Sequence, residues 1–194
     1  MMVQSTFHKA FLLAFIFIAL FAAGAHAQSN ELGVTIGGYF PINDPLSASA
    51  AFAVGGSFAH RIASLPLASA YVEVPAFWTF NSTASAFQLI TGKPRYNALF
   101  VTPGVKLKLA PEFFLSPYVL VGGGVAHFTA RNVTNNSSNS ATFEVGGGLD
   151  MKVAPFISAR ADIRDFYSGS PDLVLNLTQR QNQLITSVGL VFRF

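Results

Sequence analysis

Beyond residue 28 the chain alternates. In "ISARADIRDF" (157–166), Ala161 and Ile163 separate Arg160, Asp162 and Arg164. A two-residue period puts the charged set on one face of a strand and the apolar set on the other. The pattern recurs and predicts eight strands: Glu31 to Ile42, Ala50 to Ile62, Ser69 to Phe80, Tyr96 to Leu109, Ser116 to Ala130, Ala141 to Val153, Phe156 to Tyr167, and Gln183 to Phe194. Each suits the ~9–11 residues of a tilted membrane strand, with extra length for the rims. No segment beyond residue 28 sustains an apolar stripe at helical period.

Parity sorts the side chains within these strands. In the last, Leu184, Thr186, Val188, Leu190, Phe192 and Phe194 oppose Arg193. In the sixth, Phe143, Val145, Leu149, Met151 and Val153 oppose Glu144, Asp150 and Lys152. In the fourth, Leu99, Val101, Val105, Leu107 and Leu109 oppose Lys106 and Lys108; in the third, Val72, Val74, Trp78 and Phe80 oppose Glu73. A soluble barrel turns such charges to water. The inverse assignment is favoured here, because eight strands enclose a space that side chains just fill. Charges of both signs fill that space by pairing, and Gly104, Gly146, Gly148 and Gly189 on the same face leave room for them. The expected lumenal ionic network is therefore Glu73, Lys106, Lys108, Glu144, Asp150, Lys152, Arg160, Asp162, Arg164 and Arg193. If the hairpin closes about Pro155, Asp150 faces Arg160, while Asp162 and Arg164 face Gly148 and Gly146.

The opposite face carries aromatics at two heights. Phe40, Phe52, Trp78, Phe80, Phe128, Phe143 and Tyr167 fall near one end, and Tyr118, Phe192 and Phe194 near the other. Two aromatic girdles around an aliphatic band match the two water–lipid boundaries. The connections alternate as well: "ASLPLA", "APEFFL" and "AP" are short. "NSTASAFQLITGKPR", "RNVTNNSSNS" and "SGSPDLVLNLTQRQ" are long and mostly polar, and "NDPLSAS" falls on their side. Pro75 and Pro103 stand mid-strand at similar heights, which predicts a bulge shared by their hairpin. Asp165 points lipidward near the outer rim, where a carboxylate costs less.

Composition narrows the compartment. "FLLAFIFIALFAAG" is preceded by Lys9 and followed by Ala25-His26-Ala27, the form of a cleavable signal peptide over 1–27. The barrel domain then covers 28–194. Removing Lys9 from the 12 basic residues leaves 11 against 9 acidic ones, a net charge of +2. No basic run with interleaved aromatics suggests nucleic acid. With no cysteine, neither a disulfide scaffold nor a cysteine metal site is available. No cofactor or metal is expected.

The segments "SPYVLVGGGVAHF", "FEVGGGLDMKV", "ISARADIRDFY" and "VGLVFRF" resemble the eight-stranded outer-membrane β-barrel family typified by OmpA and OmpX. The resemblance covers 28–194. It implies an all-β, antiparallel, up-and-down transmembrane barrel in the cell outer membrane, in contact with outer-membrane lipid and lipopolysaccharide. It also implies that Phe192 and Phe194 form the terminal signal read by the barrel-assembly machinery. No peptidoglycan-binding domain is expected after the barrel, so that role is not implied.

Candidate chemistry is sparse. Symmetric closure of "RNVTNNSSNS" sets His127 opposite Glu144 in the lumen, with Thr129 on the same face. That group resembles the His-x-Ser and Glu arrangement of outer-membrane lipid A deacylases, with threonine in place of the nucleophile. A structural His–Glu pair is the favoured reading, and no catalytic residue is assigned. The "GGG" runs at 122–124 and 146–148 open no helix and read as barrel packing. A small non-enzymatic barrel with a plugged polar lumen is expected, acting in envelope integrity or surface interaction. Its loops, with "FQLI" and "DLVLNL", are the place for an unidentified ligand. A lipid A-modifying enzyme and a narrow pore are the alternatives.

Overall fold

A computed structural model describes residues 29–42, 49–83, 95–130, 137–169 and 180–194. The expected signal peptide and most of the long connections lie outside these residues. The strands are β1 (Asn30–Ile42), β2 (Ala51–Leu65), β3 (Ala68–Thr83), β4 (Arg95–Val101), β5 (Gly104–Leu109), β6 (Leu115–Ala130), β7 (Ser137–Ala154), β8 (Ile157–Gly169) and β9 (Arg180–Arg193). β4 and β5 are two halves of one traverse, so the wall has the eight crossings that the alternation predicts. Every neighbouring pair is antiparallel, and β9 pairs with β1 to close the barrel.

The register fixes the stagger of the wall. Starting at Glu31, successive partners are Ala59, Glu73, Gly104, Gly122, Glu144, Phe166 and Gln183. Gln183 pairs with Pro41, so one circuit climbs from Glu31 to Pro41, ten residues along β1. A stagger of this size obliges the strands to tilt, and with eight strands it leaves a bore that side chains close.

Proline splits the fourth crossing without the expected bulge. Glu73 pairs with Gly104 and Ala76 with Val101, one continuous register on both sides of Thr102-Pro103. No extra residue is inserted; two residues on each strand go unpaired instead. The β6–β7 hairpin also differs from expectation. It runs up to Thr129↔Ser137, so β7 starts at Ser137 rather than Ala141, and His127 faces Asn139. The hairpin at Pro155 has the predicted partners: Asp150↔Arg160, Gly148↔Asp162 and Gly146↔Arg164.

Burial follows the alternation with the apolar side outward. Val34, Ile36, Val72, Val105, Val121, Val145, Ile163, Val188 and Leu190 stand exposed on the outer wall. The buried side chains include Arg164, Lys106, Lys108 and Glu144. A water-soluble protein shows the reverse. This exterior suits hydrocarbon, and a closed barrel satisfies the backbone there.

Candidate functional site

The lumen is filled in two storeys. The lower one is ionic and centres on Glu31, which is not among the residues of the expected network. Glu31 is 2% exposed and contacts four cations: Lys106 Nζ at 2.8 Å, Lys108 Nζ, Arg160 Nη2 at 3.3 Å and Arg193 Nε at 3.5 Å. Asp150 receives Arg160 Nε at 2.7 Å and lies 2.5 Å from Lys108 Nζ. Glu73 lies 2.5 Å from Lys106 Nζ and 2.9 Å from Arg164 Nη2. Arg164 also donates to Glu144 Oε1 at 2.9 Å and to Asp162 Oδ2 at 3.0 Å. Asp162 accepts from Tyr118 Oη at 3.0 Å and Ser187 Oγ at 2.5 Å.

Among the described residues the network joins five cations (Lys106, Lys108, Arg160, Arg164, Arg193) to five carboxylates (Glu31, Glu73, Glu144, Asp150, Asp162). Buried charge is tolerated only when paired and hydrogen-bonded, and this set balances. Lys152 shares the inward parity at the short-turn end, partly exposed, and joins none of these pairs. Tyrosine faces line the cations: Lys106 Nζ lies 5.2 Å from the Tyr71 ring, and the Arg160 guanidinium 4.9 Å from that of Tyr118.

The upper storey is aromatic. Tyr39, Phe77, Phe100, Phe128, Phe166 and Ile185 form a fully enclosed cluster on the inward face. Phe100 packs against Phe166 at 4.7 Å between centroids and edge-on to Phe128 at 6.1 Å. Arg164 joins the storeys, its guanidinium 4.9 Å from the Phe77 ring.

Glycine serves this packing in two ways. A Cβ at Gly148 meets Tyr118 Oη at 2.5 Å, so its absence admits a lumenal side chain. At Gly104 and Gly189 a Cβ strikes the backbone of Val121 and Val34, so these two allow close approach of strands instead.

Two girdle assignments are corrected. Tyr118 and Phe128 are 3% and 0% exposed and point into the lumen. β6 carries no charged residue, and Val119, Val121 and Val125 oppose Tyr118, Leu120 and Phe128, so both of its faces are apolar. Nothing in that strand's own sequence marks which face is outside. Phe40, Phe52, Trp78, Phe80, Phe143, Tyr167 and Phe192 do stand on the outer wall, with Trp78 stacked on Phe80 at 5.5 Å. Phe194 ends the chain half-buried, its backbone exchanging hydrogen bonds with Asn30.

The same inversion moves His127 outward. It is exposed on the outer wall with Thr129, and its Nδ1 lies 2.6 Å from Asn139 Oδ1. Glu144 is not its partner. It lies inside, bound by Arg164 and by the Thr102 hydroxyl. Asp165 stands half-buried on the lipid-facing side, where Asn182 Nδ2 donates to it at 3.3 Å. Among the described residues no group of three or more His, Cys, Asp or Glu side chains is placed to hold a metal ion.

No protein-family model and no curated protein sequence matches the chain. Solved structures do. Neisserial surface protein A aligns with a TM-score of 0.66 at 13% identity, covering 88% of this chain and 100% of that one. The N-terminal barrel of Pseudomonas aeruginosa OprF aligns at 0.57 and 15% identity, covering 87% and 100%. Ail of Yersinia pestis, solved with the heparin analogue sucrose octasulfate, aligns at 0.51 and 12%, covering 84% and 99%. The fold is that of the eight-stranded outer-membrane β-barrels.

Proposed function

We propose that this chain is a small, non-enzymatic outer-membrane barrel whose lumen is a structural plug. Its role in envelope integrity or surface interaction then falls to its loops and outer wall. The observation that carries this reading is the filling of the bore by two storeys in series. The lower offers an ion no unpaired counter-charge, and the upper, though Thr79, Thr142, Ser168 and Gln183 are buried around it, is closed at its centre by the aromatic cluster. Fold does not name activity, but a sealed bore removes transport from the roles this barrel can play. Purified wild-type protein in planar bilayers should give no unitary conductance steps. Reproducible steps from folded monomer would establish the pore instead.

A second reading is favoured by the outward turn of His127. Asn139 Oδ1 accepts from Nδ1, which leaves Nε2 as a base on the lipid-facing wall, with the Thr129 hydroxyl two residues away on the same face. A hydroxyl, an imidazole and a group that orients the imidazole are the parts of an acyl-ester hydrolase. Lipid at that height is the substrate class within reach. Under this reading, lipid A from cells expressing the wild type should lack an acyl chain that cells expressing His127→Ala retain. Identical mass spectra from the two strains would remove it.

A further inference from the structure

The short-turn end of the barrel is apolar where turns in water are polar. Glu112 is the one charged residue in its three turns, 63–68, 110–115 and 154–156. Leu65, Leu67, Phe113, Phe114 and Phe156 are each between 61% and 68% exposed. Among the described residues two other large apolar side chains reach 61%: Val119 on the wall, and Val153 beside the last of these turns. The turn side chains are held in place without being packed. Ala110 N–H donates to the Leu67 carbonyl at 2.8 Å, Lys152 N–H to that of Phe114 at 2.8 Å, and Arg193 N–H to that of Phe156 at 2.9 Å. Each turn is thus tied to the next element round the rim, and Phe194 and Asn30 exchange two such bonds to close the ring. Ala110 takes a left-handed conformation, φ 47°, and its carbonyl accepts from Phe113 N–H at 3.0 Å and Ser116 Oγ at 2.8 Å.

The arrangement is annular. The turns join β2 to β3, β5 to β6 and β7 to β8, and the meeting of β9 with β1 takes the fourth place, where Phe192 stands on the outer wall. An apolar anchor falls in every quarter of the rim. A partner protein covers one patch, whereas a membrane plane that the barrel crosses meets all four quarters. The lipid-facing wall also runs into the turns without a break, since Ile62, Leu109, Leu115 and Val153 are exposed on the strand ends beside them. His60 marks the depth. It is exposed on the outer wall, its Nδ1 lies 2.9 Å from Asn30 Oδ1, and Asn30 is the residue bonded to the chain end at Phe194. An imidazole and an amide are costly among acyl chains and suit the boundary with the headgroups. The turns lie beyond that boundary, in the headgroup layer.

The short turns of outer-membrane barrels lie on the periplasmic side. We propose that in this chain they are seated in the headgroup layer of the inner leaflet, with phospholipid as their partner. The strands leave the girdle at that end incomplete, because Tyr118 points into the lumen and Phe194 is half-buried. Leu65, Leu67, Phe113, Phe114 and Phe156 complete it with Phe192. The barrel is gripped in each quarter against tilt and vertical slip, whether or not its bore is sealed.

Trp78 is the only tryptophan, so Trp78→Phe combined with Leu67→Trp, Phe114→Trp or Phe156→Trp places one reporter in each turn. Each protein is reconstituted in nanodiscs of phosphatidylethanolamine and phosphatidylglycerol, with and without bromine on the acyl chains near the headgroup. Wild-type Trp78 is the control for contact with lipid, and heat-modifiable mobility confirms folding. Leu65→Trp, Phe113→Trp or Val153→Trp stands in for a reporter that does not fold. Emission from all three turns should be at least about twofold lower in the brominated discs, as expected of side chains at the lipid boundary. Emission that bromine leaves unchanged at any of the three overturns the proposal, since that turn then stands in water or against protein.

Discussion

Glu31→Ala should unfold at much lower denaturant than the wild type, with a loss of about 3–5 kcal/mol, the range seen when one partner of a buried ion pair is removed. The size follows from position. Glu31 touches Lys106, Lys108, Arg160 and Arg193, so alanine leaves five buried cations facing four carboxylates. The bore is narrow and its upper end is closed by aromatics, so bulk water cannot easily reach those cations. Removing an opposite charge with it should restore much of the loss: Glu31→Leu combined with Lys108→Met takes one charge of each sign and replaces both with apolar groups of similar length. Trp78 is the only tryptophan and stands 50% exposed on the outer wall, so its emission reports insertion and unfolding without disturbing the lumen. Urea titrations in vesicles supply the measurement. Equal midpoints for Glu31→Ala and the wild type would mean that Glu31 is not the hub of the network.

The same residue shows how far the sequence could be read. In "ELGVTIGGYF" Glu31 shares parity with Gly33, Thr35 and Tyr39 against Val34, Ile36 and Phe40, so its inward direction was legible. The aromatic storey was legible in the same way. Phe77 shares parity with Glu73, Phe100 with Lys106, and Phe166 with Arg164. Glu31 stands at the start of its strand with no second charge on its face, and the inward phenylalanines carry none to mark theirs. The partners around Pro155 agree with closure about that residue because a one-residue shift between Lys152 and Ala154 offsets the two-residue turn at 155–156. The β6–β7 partners do not agree with symmetric closure. The connection over 131–140 contributes its last four residues to β7, and no periodic apolar signal marks "SSNS" as strand. β6 adds a second ambiguity, since glycine falls on both of its faces and apolar side chains fill most of the rest of each. His127 lies on that strand, so parity within it does not tell the lumenal from the lipid-facing side, and the register with β7 decides.

Opening the bore should require removal of both storeys, because they lie in series. Phe100→Ala with Phe166→Ala takes away the closest ring pair of the upper storey, 4.7 Å between centroids, and leaves the ion pairs below in place. Asp150→Ser with Arg160→Ser takes away a directly opposed pair of the lower storey and keeps the remaining charges balanced at four of each sign. Each double variant should stay folded, as judged by heat-modifiable mobility, and electrically silent. The quadruple variant should show unitary steps in planar bilayers, since water can then run past Arg164 along the full length of the bore. The phenylalanine pair costs more stability than the ion pair. Each Phe→Ala in a packed core costs about 3–5 kcal/mol, whereas replacing both members of a buried pair comes near neutral. Conductance in the Asp150→Ser, Arg160→Ser protein equal to that of the quadruple variant would show that the ionic storey alone seals the barrel. Conductance in neither it nor the quadruple variant would place the seal in the charges that remain.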